Sequence, residues 1–307
     1  MMHLKNEFER IVNYATSFGT KSYSYKKQNK YLKQCTSLKE FAIKRGLADA
    51  ANSFLLLESI LIVHKKYLKY YKLIKKNKHE DAWQLIIDVE YLLNRIKPYI
   101  YDDFAKFKLD IIEDKNTKIQ TLYPYKYFMS TGFTFKNYRC SICGEIVSIH
   151  NRCKHKKGHI YNGRWCYWIC EDIIDFNHVA VVENPKDKHC IFTKCGGHRF
   201  DFSLVDELVV PLKKPYLKWD LRWTKIRHPH EHYENLKETD SCPCESGLLY
   251  KDCCMKEAGI LRPHVEIDFG QGYQSEPSIT KYFSPPKRQP LQGQENTMEG
   301  IIMKASS

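Results

Sequence analysis

The chain has 307 residues, of which 43% are hydrophobic and 28% charged, and its formal net charge at pH 7 is +13. This length is enough for two or three units, each with its own core. The positive charge favours a polyanionic partner such as nucleic acid, a ribosome or an anionic membrane surface, although lysine-rich solvated helices would give the same total.

The first residues lack the apolar core of a signal peptide. The longest apolar stretch, 54–63, contains Glu58 and is too short to cross a bilayer of about 30 Å. We therefore expect a soluble, cytoplasmic protein without a membrane span. Of its 12 cysteines, all but Cys35 lie between Cys140 and Cys254. In a reducing compartment such clustered thiols are better explained as metal ligands than as disulfides.

Residues 1–118 are predicted to form an all-α bundle. Ser37 and Glu40 have the spacing of a capping box, which predicts that a helix begins there, and Gly46 is expected to end it. A long helix is predicted over 47–77 from its apolar periodicity. Two shorter helices are expected after it: an amphipathic run over 82–96 that Pro98 stops, and a helix that the acidic pair Asp102 and Asp103 opens.

A lysine stripe lies along one face of the predicted long helix, with tyrosines on the opposite face. Lysines on one face could neutralise a phosphate backbone while tyrosines stack on unpaired bases. The alternative is a solvated face whose tyrosines pack into the bundle, and we favour it because a core would use that opposite face. The residues concerned are Lys65, Lys69, Lys72, Lys76, Tyr67, Tyr70 and Tyr71.

The middle of the chain changes to aromatic, β-prone segments, which predict strands over 122–128, 133–138, 178–183 and 200–205. Trp219 and Trp223 lie one helical turn apart and predict a linker helix. The fold class is therefore α+β. The expected domains are a helical domain at 1–118, a zinc-ribbon-like β-rich domain at 121–215, a linker helix at 216–238, a zinc-binding knuckle at 239–269 and a disordered tail at 270–307.

Four cysteines near the carboxyl end form a C-x-C-x8-C-C array: Cys242, Cys244, Cys253 and Cys254. A turn built on Pro243 and Gly247 lets them converge on one ion, and zinc favours four thiolates in tetrahedral geometry. The stretch 240–257 resembles the SEC-C zinc module, first known at the carboxyl end of the SecA preprotein translocase ATPase. That resemblance implies a bound metal and a recognition element, but no reaction. Glu245 replaces the usual glycine, and the leucine pair at 248–249 replaces a basic pair, which weakens the charge offered to partners.

A second set of four donors lies in the middle of the chain: Cys140, Cys143, Cys153 and His155. The C-x2-C spacing places two sulfurs on one tight turn, and Gly144 permits the backbone angle that this turn needs. Together they make a complete Cys3His site, for which zinc is the natural ion. The stretch 138–192 is similar to a zinc-ribbon element of uncharacterised bacterial and phage proteins, a resemblance that implies no known activity.

Further donors leave a third zinc site open: His159, Cys166, Cys170, Cys190, Cys195 and His198. His159 could also replace His155 as a ligand. Unliganded cysteine is commonly a small buried apolar residue, which is the alternative for these thiols. Three alternating histidines could also bind a metal, but Pro229 favours a loop: His228, His230 and His232.

No catalytic residue or organic cofactor site is predicted, because the chain has no phosphate loop, dinucleotide fingerprint, zincin helix or nucleophile elbow. Both zinc sets are filled by protein ligands, which is typical of structural zinc. We therefore expect a zinc-binding recognition or adapter protein with two zinc ions, which binds nucleic acid, a ribosome or a protein. The alternatives are a divergent metal-dependent nuclease or hydrolase of phage-related or defence biology, and a structural component of a larger assembly. The partner, the oligomeric state and a docking role for the tail are left open.

Overall fold

A computed structural model of the chain describes residues 2–19, 24–148, 150, 153–192, 200–270 and 278–282. These residues form two compact units that divide at Tyr216 and Leu217. The first unit contains the helices and the central strands, and the second contains the C-terminal cysteine array. The architecture is α+β, as the sequence predicts. Among the described residues, no helix combines the length and apolar character needed to cross a membrane.

The first unit is built around one long buried helix, α3 (Ala48–Ile74). Its apolar residues occur on most of its circumference, so it packs against both α2 (Tyr25–Lys44) and α4 (His79–Ile96) and not along a single stripe. Tyr67, Tyr70 and Tyr71 of α3 are buried, which agrees with the interpretation of the lysine stripe as a solvated face. The helices are α1 (Met2–Thr16), α2 (Tyr25–Lys44), α3 (Ala48–Ile74), α4 (His79–Ile96), α5 (Leu109–Gln120) and α6 (Ser203–Val209).

Two predicted helix starts are wrong. The capping-box pattern at Ser37 lies inside α2, which begins after Ser24, whose side chain accepts a hydrogen bond from the backbone N–H of Lys27. The burial of Gln28 and Cys35 shows that the residues before Ser37 already pack into the bundle, so tertiary contacts override the local signal. The acidic pair after Pro98 opens only a 3-10 turn, and α5 begins at Leu109 because Lys108 has a left-handed φ of 56°.

The central strands form a long antiparallel ribbon. Strand β1 (Phe128–Cys140) pairs with β5 (Trp168–Val182), and β2 (Ile146–Val147) lies on the other side of β1. The register places Cys140 opposite Trp168 at one end of the ribbon and Phe128 opposite Val182 at the other. Between β1 and β5 the chain also forms a small hairpin of β3 (Ile160–Tyr161) and β4 (Arg164–Trp165).

The strand predicted over 200–205 is wrong. This segment leads into α6, in which Leu204, Val205 and Leu208 are buried. Their i, i+1, i+4 spacing suits one face of a helix. The strand was predicted from 200–205 alone, a segment too short to show this helical periodicity.

The second unit contains a three-stranded antiparallel sheet in the order β6, β7, β8. Its strands are β6 (Asp220–His228), β7 (Ile260–Asp268) and β8 (Ser278–Tyr282). The linker helix predicted over 216–238 is therefore wrong: residues four apart share a face on a strand as well as on a helix, so Trp219 and Trp223 did not decide between the two. Strand β8 falls within the tail that the sequence predicts to be disordered.

Candidate metal centres

The C-terminal cysteine array is folded back on itself by a short turn. The backbone N–H of Cys242 donates to the Leu248 carbonyl at 2.8 Å, and Gly247 adopts a φ of 81° between them. Two consecutive 3-10 turns, Tyr250–Asp252 and Cys254–Lys256, then return the last two cysteines to the first two. The local turns therefore bring together thiols that are separated in sequence.

The four C-terminal sulfurs have the spacing of a tetrahedral thiolate site. All four lie within 4.8 Å of one another. Individual Sγ–Sγ distances are 3.4 Å from Cys244 to Cys253 and 3.9 Å from Cys253 to Cys254. These values bracket about 3.8 Å, the edge of a tetrahedron whose zinc–sulfur bonds are about 2.3 Å. Cys242 and Cys254 are buried beside Tyr250 and Ile260. We call this group the C-terminal cluster.

Side chains outside the array hold the C-terminal cluster in place. The buried guanidinium of Arg262, on β7, donates to the carbonyl of Pro243, which lies between the first two cysteines. It also lies 3.6 Å from the Glu245 carboxylate. His230 bridges the phenol of Tyr250 at 2.6 Å and the carbonyl of Glu257 at 2.9 Å. Sequence reasoning missed Arg262, because a single arginine in a β-prone segment gives no signal of its own.

The thiols of the C-terminal cluster are electrostatically unequal. Burial raises the pKa of Cys242 to about 12. Burial acts in the same direction on Cys244, but hydrogen bonds from Ser246 and the neighbouring thiols outweigh it and lower that pKa to about 6. A lowered thiol pKa favours the thiolate, which is the form of cysteine that binds a metal ion.

The second group, which we call the central cluster, lies where β1 ends. Its turn is closed by hydrogen bonds from Gly144 N–H to the Cys140 carbonyl and from Cys140 N–H to the Glu145 carbonyl, both 2.9 Å. Gly144 has a φ of 76°, as expected for a residue that follows a C-x2-C turn. The ligand atoms of the four predicted donors lie within 4.8 Å of one another: Cys140, Cys143, Cys153 and His155.

Hydrogen bonds favour the thiolate form of Cys140 in the central cluster. Burial acts to raise the pKa of Cys140, but the N–H groups of Cys143 and Ile142 point at its sulfur and lower the pKa to about 6. The ring of His155 meets Tyr161 edge-on at 4.6 Å. Its Nδ1 atom is buried and has no hydrogen-bond partner among the residues that the structure describes. One ring nitrogen of His155 lies within 4.8 Å of the three sulfurs, and a buried imidazole nitrogen without a hydrogen bond fits a residue that binds a metal.

The remaining predicted donors differ in their positions. Cys166 is fully buried, and its sulfur lies 3.9 Å from that of Cys140. Cys170 and Cys190 are exposed and belong to neither cluster. His159 is also exposed and contacts Tyr99 at 6.5 Å between ring centroids. Cys195 and His198 lie outside the described residues.

The alternating histidines do not form a metal site in the described part of the chain. His228 is the buried last residue of β6, and His230 is used to hold Tyr250. The rings of His228 and His232 are 6.5 Å apart. Within the described ranges, the two cysteine clusters are the only groups of three or more donors with the compactness that a metal ion requires.

Comparison with known proteins agrees with the geometry of the C-terminal cluster. Residues 239–256 match the family model described as SEC-C motif. This match covers a small part of the chain and includes all four cysteines of that cluster. Neither the curated proteins nor the solved structures give a significant match.

The donor chemistry of both clusters fits zinc. Thiolate and imidazole are the ligands of structural zinc, and four of them leave no position open for water. Hard cations such as magnesium and calcium require oxygen ligands, which neither group supplies. The two clusters therefore support a zinc-binding role, in which the metal would hold local structure together.

Proposed function

We propose that this protein is a zinc-binding recognition or adapter protein, in which two structural zinc ions shape surfaces that bind nucleic acid or a ribosome. The observation that carries the zinc part is the presence of two compact four-donor groups, each dominated by thiolate. The zinc ligands would be Cys140, Cys143, Cys153 and His155 in one unit and Cys242, Cys244, Cys253 and Cys254 in the other.

The polyanion part is supported by the net charge of +13 and by the exposed lysines of α3. Lys69 and Lys72 of α3, and Lys76 in the turn that follows it, are exposed, while the tyrosines on the other face of the helix are buried. Buried tyrosines cannot stack on bases, so contacts through this helix would be to phosphates. Such contacts give affinity and orientation but little sequence preference.

Native mass spectrometry of the full chain tests the zinc part. We expect two zinc ions per chain, removed together with local order by a strong chelator, because binding of structural zinc is coupled to folding. A chain that purifies and folds without zinc would contradict the proposal. An ion with an exchangeable water ligand would favour the hydrolase alternative.

A salt titration of binding to labelled RNA and DNA tests the polyanion part. We expect affinity to fall steeply with salt, and the triple variant Lys69→Glu/Lys72→Glu/Lys76→Glu to reduce the slope of log K against log salt by about 2 to 3, since each duplex phosphate contact contributes about 0.9. A matched triple variant outside α3 and both clusters, Lys126→Glu/Lys136→Glu/Lys186→Glu, carries the same charge change on other exposed lysines and should leave the slope nearer the wild-type value. Absence of binding at low salt would instead favour a protein partner.

A further inference from the structure

The central cluster has one more donor than a tetrahedral ion can use. Besides its four predicted ligands, the sulfur of Cys166 lies 3.9 Å from that of Cys140. This distance is close to the edge of about 3.8 Å expected between two sulfurs on one zinc ion. Both thiols are fully buried and share one small core with Val147. Cys166 is therefore placed as a ligand would be, although it is not one of the four mutually closest donors.

The backbone around Cys166 fixes this position. Its N–H donates to the His159 carbonyl and its carbonyl accepts from Gly158, both at 2.8 Å. The next residue, Tyr167, is bonded in both directions to Ser141 of the C-x2-C turn, at 3.0 and 2.8 Å. These bonds hold the sulfur of Cys166 beside the turn independently of any metal.

The imidazole of His155 has few supports of its own, although the backbone N–H of the next residue, Lys156, donates to the Tyr161 hydroxyl at 2.9 Å. His155 is half-buried and lies in a segment without regular secondary structure between Cys153 and β3. Its ring contacts Tyr161 only edge-on, and within the described residues its buried Nδ1 makes no hydrogen bond. Of the four mutually close donors, His155 thus has the side chain that is held least firmly by its surroundings. Cys166, the fifth donor, is held more firmly.

We propose that Cys166 is a reserve ligand of the central ion: Cys140, Cys143 and Cys153 hold the metal, and either His155 or Cys166 completes the tetrahedron. This inference rests on the proposed zinc-binding function. In the exchange the Cys166 thiol loses its proton to water and the imidazole leaves as a neutral group. The charge of the ion with its ligands changes from −1 to −2, because one neutral ligand is replaced by a thiolate. The metal can then stay bound while His155 moves.

Three variants of the full-length protein test the reserve ligand: His155→Ala, Cys166→Ala and the double variant. Native mass spectrometry should count two zinc ions in the wild type and in both single variants, and one in the double variant. In cadmium-loaded protein, the ¹¹³Cd resonance of the central site should move in His155→Ala from the range of three sulfurs and one nitrogen to that of four sulfurs. His155→Asn serves as a second variant of similar size if the alanine variant folds poorly.

The double variant Cys143→Ser/Cys166→Ala is the control for complete loss of the central ion, because it removes one predicted ligand together with the reserve donor. A His155→Ala variant that loses its central ion as this control does would overturn the reserve role. The same holds if that variant keeps a three-sulfur, one-nitrogen resonance, or if Cys166→Ala alone releases the ion. Failure of the proposed function looks different, because the wild type itself would then hold no central zinc.

Discussion

The two cysteine clusters reach similar donor geometry by different routes. The four thiols of the C-terminal cluster come from one short segment and are positioned by local turns. In the central cluster the turn follows β1, and Cys166 is delivered by a hairpin that precedes β5. The four predicted donors of each cluster thus come from one short segment, and only the fifth donor of the central cluster, Cys166, depends on pairing between strands distant in sequence. The family match covers the C-terminal segment alone.

The clusters also share two structural devices. In each, an arginine donates to a carbonyl of the cysteine turn: Arg262 to Pro243, and Arg139 to Gly144 at 2.5 Å. In each, the residue after the second cysteine has a positive φ: 64° at Glu245 and 76° at Gly144. The arginines differ in burial and the turn residues differ in type, so the two sites can serve as controls for each other.

The largest expected difference between the clusters is their response to the loss of one ligand. Cys244→Ser should release the C-terminal zinc, because each of the four sulfurs supplies one corner of the proposed tetrahedron. Structural zinc contributes apparent binding free energies of about 10–16 kcal/mol in small peptides. A core of this size supplies no more than about 3–5 kcal/mol, so the second unit should lose its order.

Zinc counting by native mass spectrometry and amide exchange in 217–268 would measure both effects. Cys190→Ser, at an exposed thiol outside both clusters, is the control and should keep two ions. Retention of two ions and full protection in Cys244→Ser would show that this cysteine is not a ligand.

A smaller difference is expected between the two arginines. The side chain of Arg262 is 3% exposed, whereas that of Arg139 is 43% exposed. Four thiolates around a divalent ion leave two negative charges, which a buried guanidinium offsets more strongly than a solvated one. Arg262→Ala should weaken the C-terminal zinc affinity by about 10- to 100-fold, the usual effect of losing a group that supports metal ligands.

Competition with a zinc chelator would measure the two affinities in each variant. Arg139→Ala should change the central affinity by only a few fold, since its partner Glu171 and the carbonyl it bonds can be solvated instead. Equal effects in the two variants would mean that burial of the arginine does not matter.

The donor residues were accessible from the sequence because metal geometry constrains spacing. The C-x-C-x8-C-C array and the C-x2-C turn each limit their sulfurs to a small volume whatever the surrounding fold. The α+β class and the long helix over 47–77 were predictable as well, since the α3 segment is long, rich in apolar residues and free of glycine and proline. The sequence also predicted, correctly, that the tyrosines of α3 pack into the core of the helical bundle.

The remaining features depend on contacts distant in sequence. The spacing of Trp219 and Trp223 suits one face of a helix or of a strand, and only pairing of β6 with β7 decides for the strand. Cys166 could be identified as a spare donor but not placed, because its distance from Cys140 is set by the register of β5 against β1. Arg262 could not be linked to the C-terminal cluster from the sequence, because its contact with the Pro243 carbonyl also depends on the fold.

The smallest expected effect concerns the residue after the second cysteine of each turn. Glu245 adopts the left-handed conformation that Gly144 adopts in the central cluster, and for a residue with a Cβ atom this costs about 1–2 kcal/mol. Glu245→Gly should therefore stabilise the second unit by about 1 kcal/mol, after the entropy that glycine adds to the unfolded chain is subtracted.

The Glu245 carboxylate also lies 3.6 Å from Arg262, but its side chain is 74% exposed, so this pair should contribute less than the backbone does. Glu245→Gln separates the contribution of the ion pair from that of the backbone, because it removes the charge of the side chain and keeps the left-handed φ. In the central cluster the reverse change, Gly144→Ala, should destabilise by about 1 kcal/mol through the backbone alone, because a Cβ atom at Gly144 would meet nothing within 4 Å. Thermal unfolding of the three variants would measure these changes. If Glu245→Gly and Glu245→Gln shifted stability equally, the carboxylate and not the backbone would be the cause.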